Sequence, residues 1–142
     1  IKPIIALKGV TPFRIRVYET YIDANATVTD NFDADRDITG DTSEVNTSKL
    51  GDYNVTYDTN DSSSNHAATL KRLVTVYDDV KPTITLTDGN NGDINYTMEV
   101  NSAYHEYNAT ADDNYDGNIS TDIAIDASAV DISKVGDYIV RY

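Results

Sequence analysis

The chain has 142 residues, no cysteine, and a formal charge of -13 from 24 acidic against 11 basic side chains. That balance repels nucleic-acid phosphates and anionic lipid, the missing thiols exclude disulfides and thiolate metal sites, and no stretch approaches the roughly 18 consecutive apolar residues of a membrane-spanning helix. Tyrosine supplies 11 of the 13 aromatic residues and tryptophan is absent, which with abundant Thr, Asn, Asp and Ser is a β-rich composition.

From the N-terminus, Lys2-Pro3 opens a short apolar run through Ile5 and Leu7, and Phe13-Arg14-Ile15-Arg16-Val17 alternates apolar with polar, the period-two pattern of a half-buried strand. Asn25-Ala26-Thr27 precedes an acidic loop, Asp30 through Asp37, and then Ile38. Ser48-Lys49-Leu50-Gly51-Asp52-Tyr53 leads into the strand Tyr53-Asn54-Val55-Thr56-Tyr57. Ala68, Leu70, Arg72, Val74 and Val76 mark a last strand that ends at Tyr77.

Past Tyr77-Asp78-Asp79-Val80-Lys81-Pro82 the same order begins again. Lys81-Pro82, Ile84 and Leu86 repeat Lys2-Pro3, Ile5 and Leu7 at an offset of 79, and Asn108-Ala109-Thr110 with Asp113-Asn114 and Asp116 repeats Asn25-Ala26-Thr27 with Asp30-Asn31 and Asp33 at 83. Ile119 matches Ile38 at 81, which implies two extra residues before Ile38, and Ser133-Lys134-Val135-Gly136-Asp137-Tyr138 matches Ser48 through Tyr53 at 85. Length changes confined to polar loops, with strands in step, are what two copies of one fold show.

In the second copy the alternation predicts strands over Tyr96-Thr97-Met98-Glu99-Val100, Ile123-Ala124-Ile125 and Tyr138-Ile139-Val140, and no window carries a helical apolar stripe. The expected fold is all-β: two tandem immunoglobulin-like antiparallel β-sandwiches, residues 1–78 and 79–142. In the first, Tyr57 is followed by 20 residues that include a full strand, whereas this sequence stops at Tyr142, so the second is expected to lack its last strand. Such a sandwich leaves unpaired N–H and C=O groups beside an apolar gap. Further residues of the polypeptide, or a strand donated by a neighbouring subunit, are the two ways to fill it.

Two sets of residues stand out as sites. Gly51 and Gly136 suit a turn closed to other residues, with Tyr53 and Tyr138 lying across the corner and returning their hydroxyls to the backbone. Asp30, Asp33, Asp35 and Asp37, and Asp112, Asp113, Asp116 and Asn118, are candidate calcium ligands, since alternating carboxylates in a tight loop can converge several hard oxygens on one ion. The same residues also suit turn capping through side-chain to backbone bonds. Asp78 and Asp79 offer a second place for an ion, at the junction.

The two histidines, His66 and His105, occupy unrelated positions in the two copies, so neither a shared metal nor a catalytic dyad is expected. No serine lies in a nucleophile-elbow motif, and no enzymatic activity is expected. Tyr18, Tyr21, Tyr104 and Tyr107 could stack on sugars. Seven Asn-x-Ser/Thr sequons, at Asn25, Asn46, Asn54, Asn60, Asn95, Asn108 and Asn118, follow from the Asn- and Thr-rich composition.

The run Ala109-Thr110-Ala111-Asp112-Asp113-Asn114-Tyr115-Asp116-Gly117-Asn118-Ile119, preceded by Lys81-Pro82 and followed by Lys134-Val135-Gly136-Asp137-Tyr138-Ile139-Val140-Arg141-Tyr142, resembles the bacterial immunoglobulin-like domains named after a pesticidal crystal toxin. The resemblance covers nearly the whole chain; the first copy departs from it at Ala34, where glycine is usual, and in the turn Asp61-Ser62-Ser63-Ser64-Asn65. It implies a secreted, cell-surface, non-catalytic module that acts in adhesion, a stalk or a filament, with neighbouring modules, identical subunits or surface glycans as partners. The alternative it leaves open is a carbohydrate-binding accessory of a secreted hydrolase.

Overall fold

Strands that alternate β-branched or aromatic residues with polar ones each carry one apolar face that must be covered. The computed structural model describes residues 1–87 and 95–142, and the chain divides into two units, Ile1–Asp79 and Val80–Tyr142. The break falls one residue past the expected one.

Unit one has six strands: β1 (Ile4–Leu7), β2 (Phe13–Arg16), β3 (Ala26–Thr29), β4 (Arg36–Ile38), β5 (Gly51–Tyr57) and β6 (Leu70–Tyr77). They form two sheets, β1-β3-β4 and β2-β6-β5. The first is antiparallel, with Ile5 opposite Val28. In the second, β5 and β6 are antiparallel with Val55 opposite Arg72, but β2 runs parallel to β6, with Phe13 opposite Val74 and Ile15 opposite Val76. That parallel pair departs from the wholly antiparallel sandwich expected. It arises because the chain crosses between sheets after β1, so that β2 enters the second sheet beside the last strand and in its direction.

Ile5, Val28, Ile15, Val55, Tyr57, Val74 and Val76 form the core between the sheets, joined by one charged residue, Arg72. Gly40 lies against the core because nothing larger fits. A Cβ there would sit 2.4 Å from Val55 Cγ1 and 2.8 Å from Tyr57 Cε1, both on residues with no exposure. Gly40→Ala is therefore expected to lower the stability of unit one by about 1–3 kcal/mol, the usual range for overpacking, read as a lower urea midpoint.

Unit two repeats the first sheet with β7 (Thr83–Leu86), β8 (Ala109–Asp113) and β9 (Gly117–Asn118), followed by a 3-10 turn at Ser120–Asp122. The segments 96–100, 123–125 and 138–140, expected as strands, form none; their surroundings contribute one isolated bridge, Asp126 to Arg141. Alternation marks which face of a segment is apolar, but a ladder needs a partner. In unit one β6 is the partner of β2 and β5, the counterparts of 96–100 and 138–140, and among the described residues unit two has no strand in that place.

Register corrects one alignment. Arg36 pairs with Val28 in unit one, and Ile119 donates its N–H to the Ala111 carbonyl at 2.9 Å in unit two, so Arg36 is the counterpart of Ile119. The acidic loops are then equal in length, with Ala34 standing where Gly117 has φ 70°. The two-residue difference lies after them, on the side of unit two's 3-10 turn, rather than before Ile38. Matching isoleucine to isoleucine misses this because a slip of two residues leaves the same face apolar.

Candidate functional site

Five of the eight candidate ligands bond to other groups of the protein. Asp30 Oδ1 accepts the N–H groups of Phe32 and Asp33 at 2.9 and 3.3 Å, and Asp113 Oδ1 accepts those of Tyr115 and Asp116 at 2.8 and 3.0 Å, which closes each turn. Asp33 takes the N–H and hydroxyl of Ser62, both at 2.7 Å, and the Ser62 bonds hold its carboxyl below the usual range. Asp37 pairs with Lys8 at 2.7 Å, and Asn118 Oδ1 accepts the Ser120 N–H at 3.1 Å. Asp35, Asp112 and Asp116 are exposed. Among the described residues no group of three or more carboxylates or histidines is placed to hold a metal ion. At the end of unit one, Asp79 engages Arg16 through both oxygens, at 2.8 and 3.2 Å.

At the corners, Tyr53 donates its hydroxyl to the Lys49 carbonyl at 2.8 Å and Tyr138 to that of Lys134 at 3.1 Å. Gly51 has φ 147°, which disfavours any side chain, but Gly136 is not among the positive-φ glycines. The tyrosine contact thus recurs without the strained glycine. His66 bonds Asp58 through Nε2 at 2.9 Å, and the His105 ring stands edge-on to Tyr107 at 4.9 Å.

The most organised polar group was not legible as a site. In unit one, Asp23 lies below two tyrosines: the Tyr57 hydroxyl is 2.7 Å from both its oxygens and the Tyr21 hydroxyl 2.7 Å from Oδ1. The Asn25 N–H adds a bond at 2.8 Å, made possible by the left-handed backbone of Asn25 at φ 65°. Arg72 reaches across from β6, with Nη1 3.3 Å from Asp23; the two side chains are 1% and 6% exposed. The guanidinium also donates to the carbonyls of Lys8 and Asn25.

Unit two builds the same knot from Glu106. It accepts from the hydroxyls of Tyr104 and Tyr142, the latter at 2.6 Å, and from the Asn108 N–H at 2.9 Å, with Asn108 again left-handed at φ 68°. No arginine meets Glu106 among the described residues.

The electrostatics agree with the geometry. Burial raises the Asp23 carboxyl, but the hydroxyls of Tyr57 and Tyr21, the Asn25 N–H and Arg72 outweigh it, so it titrates below the usual aspartate range; burial and the matching donors do the same for Glu106. Burial and the adjoining carboxylate push Tyr21 up to about 12, and Tyr57 and Tyr104 are also raised. The bond to Glu106, then burial, raises Tyr142 to about 12. At neutral pH the carboxylates are therefore ionised and the tyrosines keep their protons.

The signal for the knot was present as Tyr21-x-Asp23-x-Asn25 and Tyr104-x-Glu106-x-Asn108, and as a charge in the apolar row of β6. The change from Asp to Glu hid the repeat. Of the tyrosines considered for sugar stacking, Tyr21 and Tyr104 donate their hydroxyls to these carboxylates, Tyr107 packs edge-on to Tyr96 at 5.3 Å, and Tyr18 is exposed.

A family model described as "Bacterial surface protein, Ig-like domain" matches residues 5–76 and 89–142, one segment in each unit. No curated protein matches the chain.

Proposed function

The chain belongs to the bacterial surface protein Ig-like family, and from that premise we propose that it is a non-catalytic, load-bearing spacer of a cell-surface stalk. The observation that carries this reading is the parallel pairing of β2 with β6 over Phe13–Arg16 and Val74–Tyr77. β2 lies near the start of unit one and β6 at its end. Tension along the chain drags two parallel strands in opposite senses, so their hydrogen bonds bear force together instead of opening one at a time.

The core supports the same role. A desolvated charge pair ties Arg72 on β6 to Asp23 in the segment that leads into β3, and the bidentate Arg16–Asp79 pair fastens the exit of β6 to β2.

Single-molecule stretching between the chain ends tests this. Unit one, Ile1–Asp79, is expected to open in one step with a gain of about 25 nm, its extended length at roughly 3.5 Å per residue less its folded span. It should require clearly more force than unit two, where no described strand pairs with 96–100. Opening of unit one at equal or lower force would overturn the load-bearing role.

A further inference from the structure

Composition accounts for the seven Asn-x-Ser/Thr sequons, but not for the residue two places before each acceptor. That residue is acidic every time: Asp23, Glu44, Asp52, Asp58, Asp93, Glu106 and Asp116 precede Asn25, Asn46, Asn54, Asn60, Asn95, Asn108 and Asn118. Acidic side chains are 24 of the 142 residues, so chance would place one there in about one sequon of the seven. No acceptor has proline on either side, so nothing bars the motif from being read.

Two of these acids have a structural reason, since Asp23 and Glu106 are the carboxylates of the two knots. The four others among the described residues share none. Asp52 accepts the Thr75 hydroxyl at 2.6 Å and Asp58 pairs with His66 at 2.9 Å, whereas Glu44 and Asp116 are exposed and make no ion pair among the described residues. Asp93 lies outside the described residues.

Exposure then sorts the acceptors. Asn46 and Asn118 are exposed together with their acids. Asn46 Oδ1 accepts the Ser48 N–H at 3.0 Å and Asn118 Oδ1 that of Ser120 at 3.1 Å, which engages the amide oxygen and leaves the nitrogen, the atom a sugar would join, without a hydrogen bond among the described residues. The turn itself does not need an amide. Asp131, the counterpart of Asn46, closes the same turn on the Ser133 N–H at 3.0 Å. The remaining described sites are less open: tyrosine hydroxyls occupy the acids before Asn25 and Asn108, Asn54 is half-buried within β5, and Arg36 holds the Asn60 carbonyl.

We propose that Asn46 and Asn118 are N-glycosylation acceptors for an oligosaccharyltransferase that reads an acidic residue two places before the asparagine. Glu44 or Asp116 offers such an enzyme a carboxylate for a charge-assisted contact, and Ser48 or Ser120 supplies the hydroxyl of the sequon. The co-substrate is an oligosaccharide joined to a membrane lipid through pyrophosphate. The amide nitrogen attacks C1 of its first sugar; the N–C1 bond forms, the C1–O bond breaks, the lipid pyrophosphate leaves with the bonding pair, and one amide proton passes to a base of the enzyme. Glycans at these turns add hydrophilic bulk outside the sheets. The inference rests on the sequons and their exposure, and stands whatever load the module carries.

The protein isolated from its own cells is expected to weigh more than its polypeptide, with glycopeptides that contain Asn46 and Asn118. The purified, folded chain, incubated with a bacterial transferase of this specificity and its lipid-pyrophosphate oligosaccharide, should be modified at the same two positions. Glu44→Gln should lower the occupancy of Asn46 roughly tenfold or more, through the lost charge-assisted contact, while Asn118 in the same molecule is unchanged and the circular dichroism stays that of the parent. Bare Asn46 and Asn118 in the native protein, equal occupancy of Asn46 with and without Glu44, or transfer in the folded chain to Asn25 or Asn108 alone would each refute the assignment.

Discussion

Arg72→Met is expected to destabilise unit one by about 3–5 kcal/mol, the range for removing one partner of a buried ion pair. Arg72 is 1% exposed and Asp23 6%, so neither charge has water to fall back on. The arginine is also the only basic group paired with the Asp23 carboxylate among the described residues. Its loss strands the carboxylate and frees the carbonyls of Lys8 and Asn25. Adding Asp23→Asn in that background should return a measurable part of the loss, since the amide oxygen still accepts from Tyr57 and Tyr21 but carries no charge. A double-mutant cycle in urea, with unit two as the reference within the same chain, reads the coupling. A single-mutant loss below about 1 kcal/mol would mean that the tyrosines alone hold Asp23 and that the pair does not tie β6 to the segment before β3.

Tyr57→Phe is expected to cost about 1.5–3 kcal/mol at neutral pH, because the lost hydroxyl donates to a charged acceptor and touches both oxygens at 2.7 Å. The pH dependence separates this from lost packing. Asp23 titrates below its ordinary value, so its contribution is complete above about pH 4 and fades as the pH falls through the folded value. Tyr57 titrates above its ordinary value, so its contribution is complete below about pH 10 and fades as the pH rises toward the folded value. The difference between parent and variant should form a plateau from about pH 4 to 10 and narrow on both sides. Urea midpoints at pH 3, 7 and 11 check it, and a difference independent of pH would assign the effect to packing alone.

Much of the architecture follows from spacing. Period-two alternation located β2, β5 and β6, and the repeat located unit two's counterparts of β1 and β3, because apolar faces must be covered whatever covers them. The same logic overreached at 96–100, 123–125 and 138–140, where the pattern is present but no strand forms; for 96–100 and 138–140 no ladder partner stands among the described residues. The acidic loops show the reverse case. Their composition suits both ion binding and turn capping, and only backbone positions reveal that Asp30 and Asp113 each close a turn on the following N–H groups.

What the sequence determined by itself is the all-β class, the duplication and the faces turned inward, since these depend on residue order along one strand at a time. Tertiary structure alone decided that β2 runs parallel to β6, that Arg36 rather than Ile38 answers Ile119, and that residues as distant as Tyr21, Asp23, Tyr57 and Arg72 meet at one carboxylate. The reason is that charge burial and register are set by contacts between strands. A sequence displays the alternation of a strand, but the partner that neutralises a buried charge is chosen only when two sheets close over it.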